Sequence, residues 1–177
     1  AQPFSFYKRL PKKVYDCNNL IGKINGTKYP EKYIVLTAHY DHLGKRDGKI
    51  FNGADDNASG VSAILAAAAF FKKNQPQHSI LIVAFDAEEL GLEGAKHFVD
   101  NPPVPIENIV MNINLDMISR NKQNEIYICG THHYPFLKEK LKDINAKSSL
   151  NVLFGHDTPD LGYNDWTSSS DNGPFHE

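Results

Sequence analysis

The chain has 177 residues, 41% of them hydrophobic and 23% charged, which suits one soluble folded domain spanning 1–177 and leaves too little for two. Its 19 basic residues stand against 21 acidic ones, a net charge of −2, without the basic field that nucleic acid or an anionic membrane surface requires. The longest apolar stretch, Val61 to Phe71, falls well short of the roughly 20 residues of a membrane-spanning helix.

The opening Ala1-Gln2-Pro3 has no basic segment followed by an apolar run, so a signal peptide is expected to be absent or removed. Asn19 to Ile24 and Tyr33 to Ala38 are short, apolar and β-branched, with Asn25-Gly26 and Pro30 between them. They are expected to form paired strands around a turn, and the sequon Asn25-Gly26-Thr27 is read as part of that turn. Ser59 to Lys72 is alanine-rich and free of proline, which predicts a helix buried over much of its surface.

Ser79 to Phe85 is a continuous apolar run, the pattern of a central strand covered on both faces. A short helix is expected over Gly91 to Val99, stopped by Asn101-Pro102-Pro103, with strand character returning from Ile109 to Met117. Ile126 to Cys129 and Val152 to Phe154 read as further strands around a helix over Phe136 to Ile144. Strands alternating with helices imply an α/β fold, a three-layer αβα sandwich on a mixed, mainly parallel sheet. Active sites of such sheets gather at the carboxyl ends of the strands.

Four polar clusters sit where apolar segments end. In His39-Tyr40-Asp41 the imidazole and carboxylate are two residues apart and address one side of an extended chain. One nitrogen of His39 is free for a metal if Asp41 accepts a hydrogen bond from the other. Asn52 to Gly60 is a glycine-flanked loop carrying Asp55 and Asp56 into the alanine-rich helix. A helix cap accounts for one of these acids, whereas a second is placed to bridge two cations. Asp86-Ala87-Glu88-Glu89 follows the most apolar strand, where unpaired carboxylates are costly, and Asp116 ends another. Imidazole and carboxylates without cysteine suit zinc or a similar divalent ion, and the surplus of carboxylates suits two ions better than one.

The segments Thr37 to Gly44, Asn52 to Gly60, Phe85 to Gly91 and Asn114 to Met117, in this order and spacing, resemble the M28 family of zinc-dependent exopeptidases. The resemblance covers nearly the whole chain, weakening over the first fifteen or so residues. It implies a zinc-exopeptidase fold in which His39 and Asp116 bind one zinc, Glu89 binds the other and Asp56 bridges both. It implies that Asp41 orients His39 and that Glu88 is the general base, taking a proton from the attacking water and returning it to the leaving amine. A cis peptide at Asp56-Asn57 is implied as well. The expected activity is release of a terminal residue from a peptide substrate, most simply as an aminopeptidase. Its alternatives are a glutaminyl-cyclase-like acyltransferase using one zinc and a non-catalytic relative of the same fold.

The resemblance also implies a last histidine ligand beyond Ser170 to Phe175, a stretch like a family loop near the active site. The chain is therefore read as incomplete at its C-terminus. The ion held by Glu89 and Asp56 is expected to lack its imidazole and to take water or stay vacant, in preference to His156 or His176. Little two-metal activity is expected of this form, and an exported location is expected from the relatives. His42, His78, His97, His132 and His133 match no motif role and are read as ordinary surface residues. Phe154, Trp166 and Phe175 are read as core ahead of pocket, and Cys17 and Cys129, without a Cys-x-x-Cys spacing, as plain thiols.

Overall fold

Ser79 to Phe85 is apolar after its first residue, and such a strand is stable only with both faces covered. The computed structural model describes residues 1–177. Its elements are β1 (Gln2–Arg9), β2 (Lys12–Ile24), β3 (Tyr29–His39), β4 (Gly44–Arg46), β5 (Lys49–Phe51), α1 (Ala58–Lys73), β6 (His78–Phe85), α2 (Glu93–Asp100), β7 (Ile109–Asn114), β8 (Glu125–Ile128), α3 (Phe136–Asn145), β9 (Asn151–Phe154) and α4 (Gly173–His176). The main sheet has the order β1-β2-β6-β3-β7. β1/β2 and β2/β6 are antiparallel, and β6/β3 and β3/β7 are parallel, so the sheet is mixed.

Period-two alternation along β3 and β6 divides the core between two faces. Val35, Leu81, Val83 and Phe85 join Ala95 and Phe98 of α2 on one side. Leu36, Ala38, Ile80 and Ile82 join Ile64 of α1 on the other. This is a three-layer αβα arrangement, and each fully buried large side chain in it contributes about 1.5–3 kcal/mol. Phe175 of α4 packs against Phe85 and Phe98, with ring centroids 6.3 and 5.7 Å away. The loop before α4 is thereby anchored to the core. No helix is long and apolar enough to cross a membrane.

Three expectations from sequence are corrected. β2 and β3 do not pair, because β6 lies between them. The connection between β2 and β3 is held to the start of β6, with the Gly26 N–H donating to Ser79 Oγ at 3.0 Å and Thr27 N–H to the Pro76 carbonyl at 2.9 Å. α1 is not buried over much of its surface. Only Gly60 and Ile64 are buried, while Leu65 and Phe70 are exposed, because a helix lying on a sheet buries a single stripe. Finally, β8 and β9 form a separate parallel pair and do not extend the main sheet. β1 and the β4/β5 hairpin have no counterpart in the reading from sequence.

β3, β6 and β7 run parallel, so their carboxyl ends share one edge. His39 pairs with Phe85, Thr37 pairs with Asn114, and the Leu115 N–H donates to the Thr37 carbonyl at 2.9 Å. Asp86 to Glu89, Asp116 and the loop into α1 therefore surround the end of β3.

Candidate metal centre

His39 is fully buried at the end of β3. Its Nδ1 lies 3.0 Å from the backbone carbonyl of Asp41 and 3.6 Å from the Asp41 carboxylate. The expected orienting bond thus comes from the Asp41 main chain and not from its side chain. The Asp41 carboxylate instead accepts the backbone N–H groups of Glu88 at 3.0 Å and Glu89 at 3.2 Å. One residue seats the imidazole and clamps the acidic turn. With Nδ1 bonded to a carbonyl, that nitrogen carries a proton, and Nε2 faces the cleft, where loss of its own proton to an incoming cation frees a lone pair.

Of the adjacent acids before α1, Asp55 is structural, accepting the Ser119 N–H at 3.1 Å. Asp56 faces the cleft. Its Oδ1 is 3.2 Å from His39 Nε2 and its Oδ2 is 3.6 Å from His42 Nδ1, so its two oxygens address two imidazoles. The following peptide, Asp56-Asn57, is cis. Asn57 caps α1 by accepting the Gly60 N–H at 3.0 Å and ties the helix to β7 by donating to the Leu115 carbonyl at 2.9 Å. Only glycine fits at Gly60, where a Cβ would overlap the Leu115 carbonyl oxygen and Asn57. This close approach sets Asp56 opposite Asp116.

After β6, Asp86 turns away and accepts the Asn18 N–H at 2.9 Å and the Tyr40 hydroxyl at 3.0 Å. Glu88 and Glu89 face the site, with side chains only 14% and 19% exposed. Asp116 is held from behind by a chain of hydrogen bonds. The Asn112 amide donates to Thr37 Oγ1 at 3.1 Å, and the Thr37 hydroxyl donates to Asn114 Oδ1 at 2.7 Å. The Asn114 amide donates to Ser170 Oγ at 2.9 Å, and the Ser170 hydroxyl donates to Asp116 Oδ2 at 2.6 Å. Asp116 Oδ1 is left facing His39 Nε2 at 3.5 Å.

Two donor sets result, His39 with Glu88 and Asp116, and His42 with Asp56 and Glu89. His39 Nε2, Asp116 Oδ1, His42 Nδ1 and Glu89 Oε1 are all buried atoms without a hydrogen-bond partner. Buried polar atoms normally find partners, and nitrogen and carboxylate oxygen lone pairs converging in this way are the donor chemistry of a divalent metal ion. The residues present fit such ions.

The electrostatics point the same way. Burial pulls the His39 pKa down, yet the neighbouring carboxylates of Asp116, Asp41 and Glu88 outweigh it and lift it to about 11. A field that binds a proton so firmly is a field for a cation. Burial raises Asp116, but the His39 imidazole and the Ser170 hydroxyl hold it below the usual carboxylate range. Burial, opposed by His39 and aided by Asp116, Glu89 and Asp41, lifts the Glu88 carboxyl to about 7. No lysine or arginine pairs with these acids, the one such ion pair in the protein being Lys142–Glu139 at the surface.

The structure brings His39, Asp41, Asp56, Glu88, Glu89 and Asp116 to one place. His42, read as a plain surface residue, stands beside them, its Nδ1 2.7 Å from Glu89 Oε1 and 3.6 Å from Asp56 Oδ2. His156 instead stacks on Trp166 at 3.7 Å, and His176 packs against His133 and Tyr134. His78 and His97 rest on Tyr29 and Phe4. Both cysteines are free. Sequence reasoning placed Ser170 to Phe175 in a loop near the active site but gave Ser170 and Asp171 no role of their own. Asp171 is fully buried with neither oxygen hydrogen-bonded. Its carboxyl is pushed well above the ordinary range by burial and, against the pull of His39, by Glu88, Asp116 and Asp41. The signal that was available is its place in the polar run Ser168 to Asn172, directly ahead of the core anchor Phe175.

The model of peptidase family M28 matches residues 19–177. Aminopeptidase YwaD of Bacillus subtilis (strain 168) is 34% identical over 167 residues, covering 90% of this chain and 33% of the relative. The chain thus spans about a third of the length of that curated relative. A solved zinc aminopeptidase from Bacillus subtilis superposes with a TM-score of 0.67 at 28% identity, over 93% of this chain and 38% of the other. Glutaminyl cyclase from Porphyromonas gingivalis shares the fold, with a TM-score of 0.69 at 21% identity over 87% of this chain and 61% of the other.

Proposed function

The chain belongs to peptidase family M28, and from that premise we propose that it acts as a zinc-dependent exopeptidase, releasing a terminal residue from peptides, most simply as an aminopeptidase. The observation that carries this reading is the pair of imidazole–carboxylate sets sharing Asp56, with the half-buried Glu88 beside them. His39, Asp116 and one oxygen of Asp56 would hold one zinc ion, and Glu89 and the other oxygen of Asp56 the second. When bound, such ions lower the pKa of water and polarise the scissile carbonyl.

The remaining work falls to the chain's own groups. Glu88, half-buried beside both donor sets, stands to take a proton from water and pass it to the leaving amine. Asp41 fixes where it stands through the backbone N–H groups of Glu88 and Glu89. Ser170 keeps one oxygen of Asp116 occupied so that the other faces the cleft.

The test couples zinc analysis to a panel of aminoacyl and carboxyl-terminal reporter peptides. Glu88→Gln is expected to abolish hydrolysis while zinc content stays unchanged. No hydrolysis by the wild type across the panel with zinc added would end the enzyme reading. Formation of pyroglutamate without release of amino acids would assign a cyclase instead.

A further inference from the structure

The net charge of −2 leaves no basic field over the whole chain, but the fold gathers cations locally. β1 and β2 meet at Leu10-Pro11, and this turn is flanked by Lys8, Arg9, Lys12 and Lys13. The register sets like charges directly opposite one another, Lys8 against Lys13 and Arg9 against Lys12, an unfavourable pairing that an anion lying across it would relieve. β4 and β5 repeat the pattern around Asp47-Gly48, with Arg46 opposite Lys49 and Lys45 beside them. None of these cations is in an ion pair, the single lysine–carboxylate pair of the protein being Lys142–Glu139. Each hairpin also carries an aliphatic side chain into solvent, Leu10 at 89% and Ile50 at 72% exposure.

Both hairpins leave the sheet at the edge that holds the candidate metal centre. β2 pairs with β6 only from Leu20, opposite Ala84, to Ile24. Lys12 to Asn19 and all of β1 therefore run past the end of β6, a reach of roughly 20 Å at the rise of an extended strand. Their root is fixed, with the Asn18 N–H donating to the Asp86 carboxylate at 2.9 Å and Phe4 and Cys17 clustered with Ala87. The β4/β5 hairpin lies in the chain between His39 and Asp56, which meet in the site. Cations around a protruding aliphatic tip fit a surface that is anionic outside and apolar beneath, the profile of a bilayer interface. An acidic polypeptide would match the charges but leave Leu10 and Ile50 in water.

We propose that the two hairpins form a docking surface for anionic lipid, which sets the metal-centre edge of the protein against a membrane surface. This stands apart from the peptidase reading, since it uses none of the residues assigned to the metals or to proton transfer.

The test is co-sedimentation of the full chain with vesicles of phosphatidylcholine alone, or of phosphatidylcholine and phosphatidylglycerol at about 2:1. Binding is expected only with phosphatidylglycerol and is expected to be lost at about 0.5 M salt. Arg9→Gln/Lys12→Gln and Arg46→Gln/Lys49→Gln should each lower the partition coefficient about 25-fold, at about fivefold per charge. Both remove a like-charge pair, so melting curves should show them folding at least as well as wild type. Leu10→Ser should weaken binding several-fold and leave its salt dependence unchanged. Lys138→Gln/Lys140→Gln, the same charge change at two exposed positions of α3, should bind as wild type. No binding, equal binding to neutral vesicles, or equal loss in the α3 variant would overturn the proposal. Binding to poly-glutamate in place of vesicles would overturn it too, and assign an acidic polypeptide as the partner.

Discussion

The carbonyl of Asp41 receives the Nδ1 proton of His39 at 3.0 Å, while the carboxylate of the same residue stands 3.6 Å away and holds the Glu88–Glu89 turn. The two duties are separable by mutation. Asp41→Ala keeps the carbonyl and hence the His39 tautomer, but releases two backbone N–H groups, each worth about 1–3 kcal/mol when left buried and unpaired. The expected result is a zinc affinity at the His39 set within a few-fold of wild type and a loss of peptidase activity of roughly 100-fold or more, through misplaced Glu88. Equal loss of both would show that the carboxylate orients His39 after all.

Ser170 donates to Asp116 Oδ2 at 2.6 Å and is itself fixed by Asn114. Ser170→Ala removes the donor and lets the carboxylate rotate. Zinc affinity at the His39–Asp116 set is expected to fall about 10–100-fold, the range for loss of an outer-shell partner, with thermal stability changing little. Calorimetric titration and a melting curve separate the two effects, and an unchanged affinity would leave Ser170 a mere spacer.

In metal-free protein the Glu88 carboxyl is raised from 4.5 to about 7, so the folded chain holds its proton more tightly than the unfolded chain. The corresponding stability is fully present below pH 4.5 and is lost as the pH rises toward 7. Glu88→Gln has no proton to lose. With chelator present, the variant is expected to match wild type near pH 4 and to exceed it by up to ~3 kcal/mol above pH 7. Urea unfolding at the two pH values checks this, and a pH-independent difference would contradict the buried, proton-binding state of Glu88.

A methyl group at Gly60 would meet the Leu115 carbonyl oxygen and Asn57. Gly60→Ala is therefore expected to destabilise the fold by about 1–3 kcal/mol, despite alanine's better helix propensity. It should also weaken zinc binding by pushing Asp56 away from Asp116. Stability equal to or above wild type in denaturant unfolding would show that the contact relaxes freely.

Much of the architecture was legible in the chain. The unbroken apolar run from Ile80 to Phe85 announced a doubly covered strand, because no other placement hides six such residues. The acids and histidine at the ends of apolar segments announced a polar site at one sheet edge, since burial there is costly without a cation. Local pattern reaches that far because alternation and desolvation act residue by residue.

Strand order, by contrast, depends on which elements find each other in space. β6 lies between β2 and β3, and Gly26 and Thr27 bond to the segment from Pro76 to Ser79, about fifty residues away. The same holds for His42, whose place beside Glu89 and Asp56 its sequence neighbours do not announce. Glu89 from the end of β6 and Gly53 from the loop before α1 decide its surroundings. Ser170 and Asp171 likewise reach the site with their loop, which Phe175 anchors by packing on Phe85 and Phe98. A side chain's chemistry is set by its identity, but its partners are set by long-range packing, which the chain encodes only collectively.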